Sequence, residues 1–190
     1  MYVVAFNTSP RKDGNTGRLI QYALAEIEKQ GIRTELIHIG GKPIQGCIAC
    51  MKCFEKQNRH CALTKDVVND CIDKMAEADG IIIGSPTYFS DITPEAKALI
   101  DRAGFVAIAN GGMFSRKIGA GIAAVRRAGA VSAVDSIHHL FGISDMFTAG
   151  STYWNLGIGL EPGDVDRDEE GIKTMQRLGE NIAWFIKKTR

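Results

Sequence analysis

Residues 80–89 read Gly80-Ile81-Ile82-Ile83-Gly84-Ser85-Pro86-Thr87-Tyr88-Phe89, and the fold class turns on them. Three consecutive β-branched residues between glycines form an apolar run too short for a helix. Such a run is the mark of a central strand in a parallel sheet, buried on both faces. Upstream, Val3 to Phe6 is a first strand of the same kind, followed by a polar segment from Asn7 to Asn15. Leu19, Ile20, Ala23, Leu24 and Ile27 then recur at helical spacing, with Gly31 as the stop. Thr34 to Ile39 is a second strand, residues 40–65 a long loop, and Val67 to Met75 a second helix. Downstream, Pro94 opens a third helix carrying Leu99 and Ile100. Ile118 to Val125 is a fourth strand, Val131 to Phe141 a fourth helix, and Met146 to Ala149 a fifth strand. Residues 151–166 read as irregular, and Ile172 to Phe185 as the last helix. This strict β-α alternation predicts an α/β three-layer sandwich: a five-stranded parallel sheet of flavodoxin-like order 2-1-3-4-5 with helices on both faces. Ligands of such sheets bind beyond the carboxyl ends of the strands.

The chain has 190 residues, enough for one domain with a substantial core, and residues 1–190 are read as one. Its net charge of +1 argues against a nucleic-acid binder or a polybasic membrane anchor. The apolar runs are too short to cross a bilayer, and the start Met1-Tyr2-Val3-Val4 reads as a strand rather than a signal peptide. A cytoplasmic location is expected.

Three loops at the carboxyl ends of the strands carry ligand chemistry. The first is Ser9-Pro10-Arg11-Lys12-Asp13-Gly14-Asn15-Thr16, which runs into a helix. Free N–H groups at a helix N-terminus favour an anion, and phosphate is the natural guest. Ser9, Asn15 and Thr16 add donors, and Arg11 adds a charged fork. A polar turn with an Asn or Thr helix cap uses the same residues. The second loop places Tyr88 and Phe89 beside Pro86 and Thr87, where a planar ring can stack or where the aromatics cover the core. The third follows strand four and brings Arg126 and Arg127, which can offset negative charge on a bound ring or stand, one or both, in solvent. Gly119-Ala120-Gly121-Ile122-Ala123-Ala124 formally matches a dinucleotide fingerprint but lies inside a strand, where that motif has no meaning. His138 and His139 are adjacent on a helix and lack the i, i+4 spacing of a metal pair.

Four of the five cysteines, Cys47, Cys50, Cys53 and Cys61, fall in the long loop. Three thiolates at intervals of three can wrap one face of an iron–sulfur cubane and a fourth can return from the loop. A four-thiolate zinc site and an empty thiol cluster stay open as alternatives. Cys71 lies on the apolar face of its helix and reads as core.

Together these segments resemble the NADPH-dependent FMN reductase family, and within it the iron–sulfur flavoprotein branch. The resemblance rests on Ser9-Pro10-Arg11-Lys12-Asp13-Gly14-Asn15-Thr16, on Gly84-Ser85-Pro86-Thr87-Tyr88-Phe89 and on the compact cysteine motif. Tyr153-Trp154-Asn155 and Asp168-Glu169-Glu170-Gly171 extend it along the chain, whereas Thr8 stands where glycine often precedes Ser-Pro-Arg. It implies FMN, with the phosphate on Ser9, Arg11, Asn15 and Thr16, the ring against Pro86, Thr87, Tyr88 and Phe89, and Arg126 nearby. It further implies an oxidoreductase passing electrons from NAD(P)H to a small acceptor such as a flavin, a quinone or an oxygen species. The alternative is an electron carrier fed by ferredoxin through a 4Fe-4S cluster on Cys47, Cys50, Cys53 and Cys61. No catalytic acid or base is expected, and the branch points to a homodimer or homotetramer.

Overall fold

A computed structural model describes residues 1–189. Strands β1 (Tyr2–Asn7), β2 (Arg33–His38), β3 (Gly80–Pro86), β4 (Ile118–Val125) and β5 (Phe147–Thr148) form a sheet of order β2-β1-β3-β4-β5, parallel throughout, as the alternation predicts. Helices cover both faces. Because successive side chains of a strand point to opposite sides, Val3 and Ala5 pack on α1 (Asn15–Lys29) and α6 (Glu169–Thr189). Tyr2, Val4 and Phe6 pack on the side of α3 (Val68–Glu77), α4 (Pro94–Ala109) and α5 (Ala130–Ile143). Helix α4 starts where Pro94 suits the first turn and Thr93 caps it by accepting the Ala96 N–H.

The register sets Asn7, Gly84 and Ile122 side by side, so the loops after β1, β3 and β4 leave the sheet together. Thr8 ties two of them: its Oγ1 donates to the Gly84 carbonyl at 2.9 Å, and Thr93 Oγ1 lies 3.1 Å from Thr8 Oγ1. Gly40 makes a third approach possible. A Cβ there would stand 2.0 Å from the Ser9 carbonyl oxygen, which also accepts the His38 Nε2–H at 2.8 Å.

Two expectations need correction. The fifth strand is two residues long, and the rest of that sheet edge is a sixth strand, β6 (Leu156–Ile158), inside the stretch read as irregular. It pairs with β4 at Ala123–Val125, and a short 3-10 helix follows at Asp164–Arg167. The edge strand is broken in two because residues 150–155 bulge out. Buried Asn155 pins the bulge through Ser151 Oγ (2.7 Å) and the Ala149 carbonyl (3.3 Å). Gly157 then lets Leu19 of α1 lie directly on the strand. The long loop after β2 also holds a five-residue helix, α2 (Lys52–Lys56). Left-handed residues Met51 and Gln57 flank it and confine it to little more than one turn.

Candidate functional site

The three loops enclose a cavity of about 220 Å³ lined by Ser9, Pro10, Arg11, Asn15, Thr16, Pro86, Thr87, Tyr88, Ala124, Arg126, Gly159 and Leu160. Helix α1 opens at Gly14 with no side-chain cap and no acidic residue in its first turn. The capped-turn alternative therefore does not hold, and the first-turn N–H groups stay available to an anion. The loop itself is rigid. Asn7 accepts the Ser9 N–H at 3.0 Å and donates to the Lys12 carbonyl at 3.1 Å, while Ser9 Oγ accepts the Arg11 N–H at 3.2 Å. Thr16 is buried. Asn15 turns its Oδ1 to the Gly163 N–H at 2.9 Å, which leaves its amide N–H₂ for the cavity. Arg11 is exposed and rests one guanidinium nitrogen on the Leu160 carbonyl at 3.3 Å, a weak hold that an anion can displace.

Thr87 supplies the sharpest sign of a ligand. Its Oγ1 is buried with no hydrogen-bond partner, in a residue that lines the cavity. A buried hydroxyl left unpaired costs about 1–3 kcal/mol, and a polar ring edge in the cavity removes that cost. Tyr88 also lines the cavity. Phe89 does not, contrary to expectation. Tyr88 and Asp91 exchange backbone hydrogen bonds of 2.8 and 3.0 Å, closing a tight reversal with Phe89 and Ser90 at positive φ. The turn presents Phe89 wholly to solvent. Of the two arginines after β4, Arg126 lines the cavity and Arg127 does not. The residues Gly159 and Leu160 of the wall come from the loop after β6, which sequence periodicity did not single out because no apolar pattern marks it.

The cysteines form a second site. Cys47, Cys50, Cys53 and Cys61 line one narrow cavity of about 20 Å³ with Ile48, Met51, Leu63, Arg102, Phe105 and Val106. All four are free thiols. Among the described residues, no three His, Cys, Asp or Glu side chains converge as ligands of a single metal ion. Thiolate sulfur is the donor type that iron–sulfur clusters and structural zinc both take, so the chemistry of the four side chains fits either group. Phe54 and Phe105 meet edge to face at 6.3 Å beside it. Burial pushes the Cys53 thiol above its ordinary pKa. Ala49 and Met51 occupy the left-handed backbone region between the first three cysteines, and Gln57 and Arg59 do so before the fourth. Such conformations cost about 1–2 kcal/mol each for an L residue, and strain of this kind gathers at ligand sites.

The cysteine loop does leave β2 at the ligand end of the sheet, but it folds back so that its cavity lies against Arg102 and Phe105, in the middle of α4. Arg102 is eight residues from the start of that helix, roughly 12 Å along its axis. Cys71 is buried, with its thiol pushed up to about 12 by desolvation, and takes no part. His138 is a half-buried side chain whose pKa burial lowers. Arg102 itself was not foreseen. Its position, next to Asp101 in the helix, reads as a charged pair facing solvent and gave no signal that the arginine is fully buried.

The family model described as NADPH-dependent FMN reductase matches residues 1–161. An iron–sulfur flavoprotein of Methanocaldococcus jannaschii is 36% identical over 194 residues, covering 98% of this chain and 98% of its own. A second one from that organism is 27% identical over 201 residues, covering 100% and 99%. Among solved structures, the Trp repressor binding protein from Bacillus subtilis superposes with a TM-score of 0.68 at 19% identity, covering 93% of this chain and 96% of its own, which bears on the fold alone. The chain therefore belongs to the NADPH-dependent FMN reductase family, a family of FMN-binding flavodoxin-like oxidoreductases, and within it to the branch of the iron–sulfur flavoproteins.

Proposed function

We propose that this protein binds FMN in the cavity at the carboxyl ends of β1, β3 and β4, holds a 4Fe-4S cluster on Cys47, Cys50, Cys53 and Cys61, and works as an electron-transfer flavoprotein. The observation that carries the flavin reading is the unpaired Thr87 Oγ1 in a cavity that also offers an uncapped helix N-terminus and Arg11. Bound FMN supplies reversible one- and two-electron redox chemistry, and the cluster single electrons. The chain's own residues bind and orient. Ser9, Arg11, Asn15, Thr16 and the first turn of α1 hold the phosphate. Pro86, Thr87 and Tyr88 seat the ring and satisfy its polar edge. Arg126 places a positive charge where the reduced ring becomes anionic.

Four intact cysteines on one cavity favour a one-electron donor of the ferredoxin class, with a small oxidant as acceptor. The family's characteristic reductant supports a second reading, in which NAD(P)H reduces the flavin directly and the electrons pass to a flavin, a quinone or an oxygen species. Oxygen-free purification followed by flavin, iron and labile-sulfide analysis tests the assignment. FMN and about four irons per chain are expected, as that cluster type requires. Cys53→Ser should lose the iron and keep FMN, and Cys71→Ser should keep both. Flavin without iron after reconstitution would leave the reductase reading alone. Reduction of the flavin by NAD(P)H but not by reduced ferredoxin would do the same.

A further inference from the structure

Arg102 is a cation with no exposed side-chain surface, set in the middle of α4. Burying a guanidinium is expensive unless every donor is used. Here every nitrogen is used, and each partner belongs to the cysteine loop or its return. Nη1 donates to Asp66 Oδ2 at 2.5 Å and to the Gln45 carbonyl at 3.0 Å. Nη2 donates to the Leu63 carbonyl at 2.7 Å, and Nε to Cys61 Sγ at 3.3 Å. One side chain thus holds the loop before its first cysteine and after its last. Asn69 completes the grip by accepting the Cys61 N–H at 2.8 Å and donating to its carbonyl at 3.0 Å. Cys61 is the ligand that most needs placing, since seven residues separate it from Cys53 and the backbone after α2 is irregular.

We propose that Arg102 is a positioning residue of the cysteine site: its Nε–H fixes Cys61 Sγ as the fourth ligand of an iron–sulfur cluster and raises the potential at which that cluster accepts an electron. The inference rests on the cluster reading given above. Hydrogen bonds to ligating sulfur and nearby positive charge both stabilise the more electron-rich state of such a site. The redox step is a bare electron transfer. A ferredoxin-class donor loses one electron and the site gains one, no bond forms or breaks, and the Nε proton stays on Arg102. Asp66 balances the guanidinium charge, so the Cys61 contact acts mainly as a directed hydrogen bond.

The test compares oxygen-free, reconstituted full-length wild type with Arg102→Lys, which keeps the cation but loses the N–H on sulfur. A double variant, Arg102→Met with Asp66→Asn, removes both buried charges together and guards against a fold lost to one unpaired charge. Iron and sulfide per chain, FMN occupancy, thermal unfolding of the iron-free protein and the cluster midpoint potential are measured. In a variant that keeps FMN, the expected result is an assembled cluster about tenfold harder to reduce, roughly 59 mV lower for a one-electron couple. Failure of the cluster to assemble, with FMN and unfolding unchanged, also supports the positioning role. A cluster present with wild-type iron content and unchanged potential would overturn it. Absence of iron from the wild type itself would remove the cluster reading instead, so the two failures are told apart.

Discussion

At the scale of single residues, Arg11 and Arg126 line the same cavity, and the proposed function gives them different tasks. A charge-assisted hydrogen bond to phosphate is worth about 1.5–3 kcal/mol. Arg11→Ala should therefore weaken FMN by roughly ten- to a hundredfold and leave riboflavin, which has no phosphate, nearly unaffected. Titration of both ligands into flavin-free protein checks this, and an equal loss for both would remove Arg11 from the phosphate. Arg126→Gln should make the flavin harder to reduce, because a fixed positive charge favours the anionic reduced ring. Arg127→Gln, outside the cavity, serves as the control and should leave the midpoint potential unchanged. Both arginines look alike in the sequence, and only the direction in which the chain leaves β4 separates them.

At the scale of elements, the close contact of α1 with α6 depends on a missing side chain. A Cβ on Gly179 would stand 2.2 Å from the Ala23 carbonyl oxygen, backbone that a rotamer change cannot move aside. Gly179→Ala should force the two helices apart and destabilise the protein by about 1–3 kcal/mol, as overpacked cores do. Gly142, inside α5, meets nothing within 4 Å. Gly142→Ala should stabilise by roughly 0.5–1 kcal/mol through the helix preference alone. Urea unfolding midpoints of the two variants should move in opposite directions. A shared direction would mean that glycine's intrinsic helix cost, and not the helix contact, governs both.

Over the whole molecule, stability should decline at both ends of the pH scale. Hydrogen bonds from Tyr2 (2.6 Å) and Lys74 (2.9 Å) hold the Glu35 carboxyl below its ordinary range, and Asp66 is likewise lowered: burial pushes it up, but the Arg102 bond and charge together with the Gln45 and Val68 N–H groups outweigh that. A carboxylate with a depressed folded pKa stabilises above its unfolded pKa, and that stability is lost as pH falls through the folded value. Unfolding midpoints should therefore drop below about pH 4, and Glu35→Gln should flatten that limb. On the alkaline side, burial raises Cys71 to about 12. Its contribution is complete below the unfolded thiol pKa and fades as pH rises toward the folded one. Cys71→Ala should blunt the alkaline decline at some cost in packing, and an unaltered alkaline limb would assign that decline to other groups.

The amino-acid sequence by itself determined the sheet. Isoleucine and valine runs between helix-period segments permit few arrangements, and strand order, handedness and the end of the sheet that holds ligands follow from them. That residues 9–16 and 84–88 form loops at one end of the sheet was legible because each follows a buried strand and precedes a helix; the phosphate and ring roles given to them are proposals. The tertiary structure decided matters that depend on approach in space. It split the fifth strand, because pairing with β4 holds the isolated segment 156–158 where no periodicity marks it. It turned Phe89 outward through two positive-φ residues that the residue types do not announce. It also carried the cysteines back along α4 to Arg102, a contact across 41 residues of chain. Local pattern encodes which face of an element is buried; it does not encode which distant side chain crosses that boundary, because that choice is made when the elements pack.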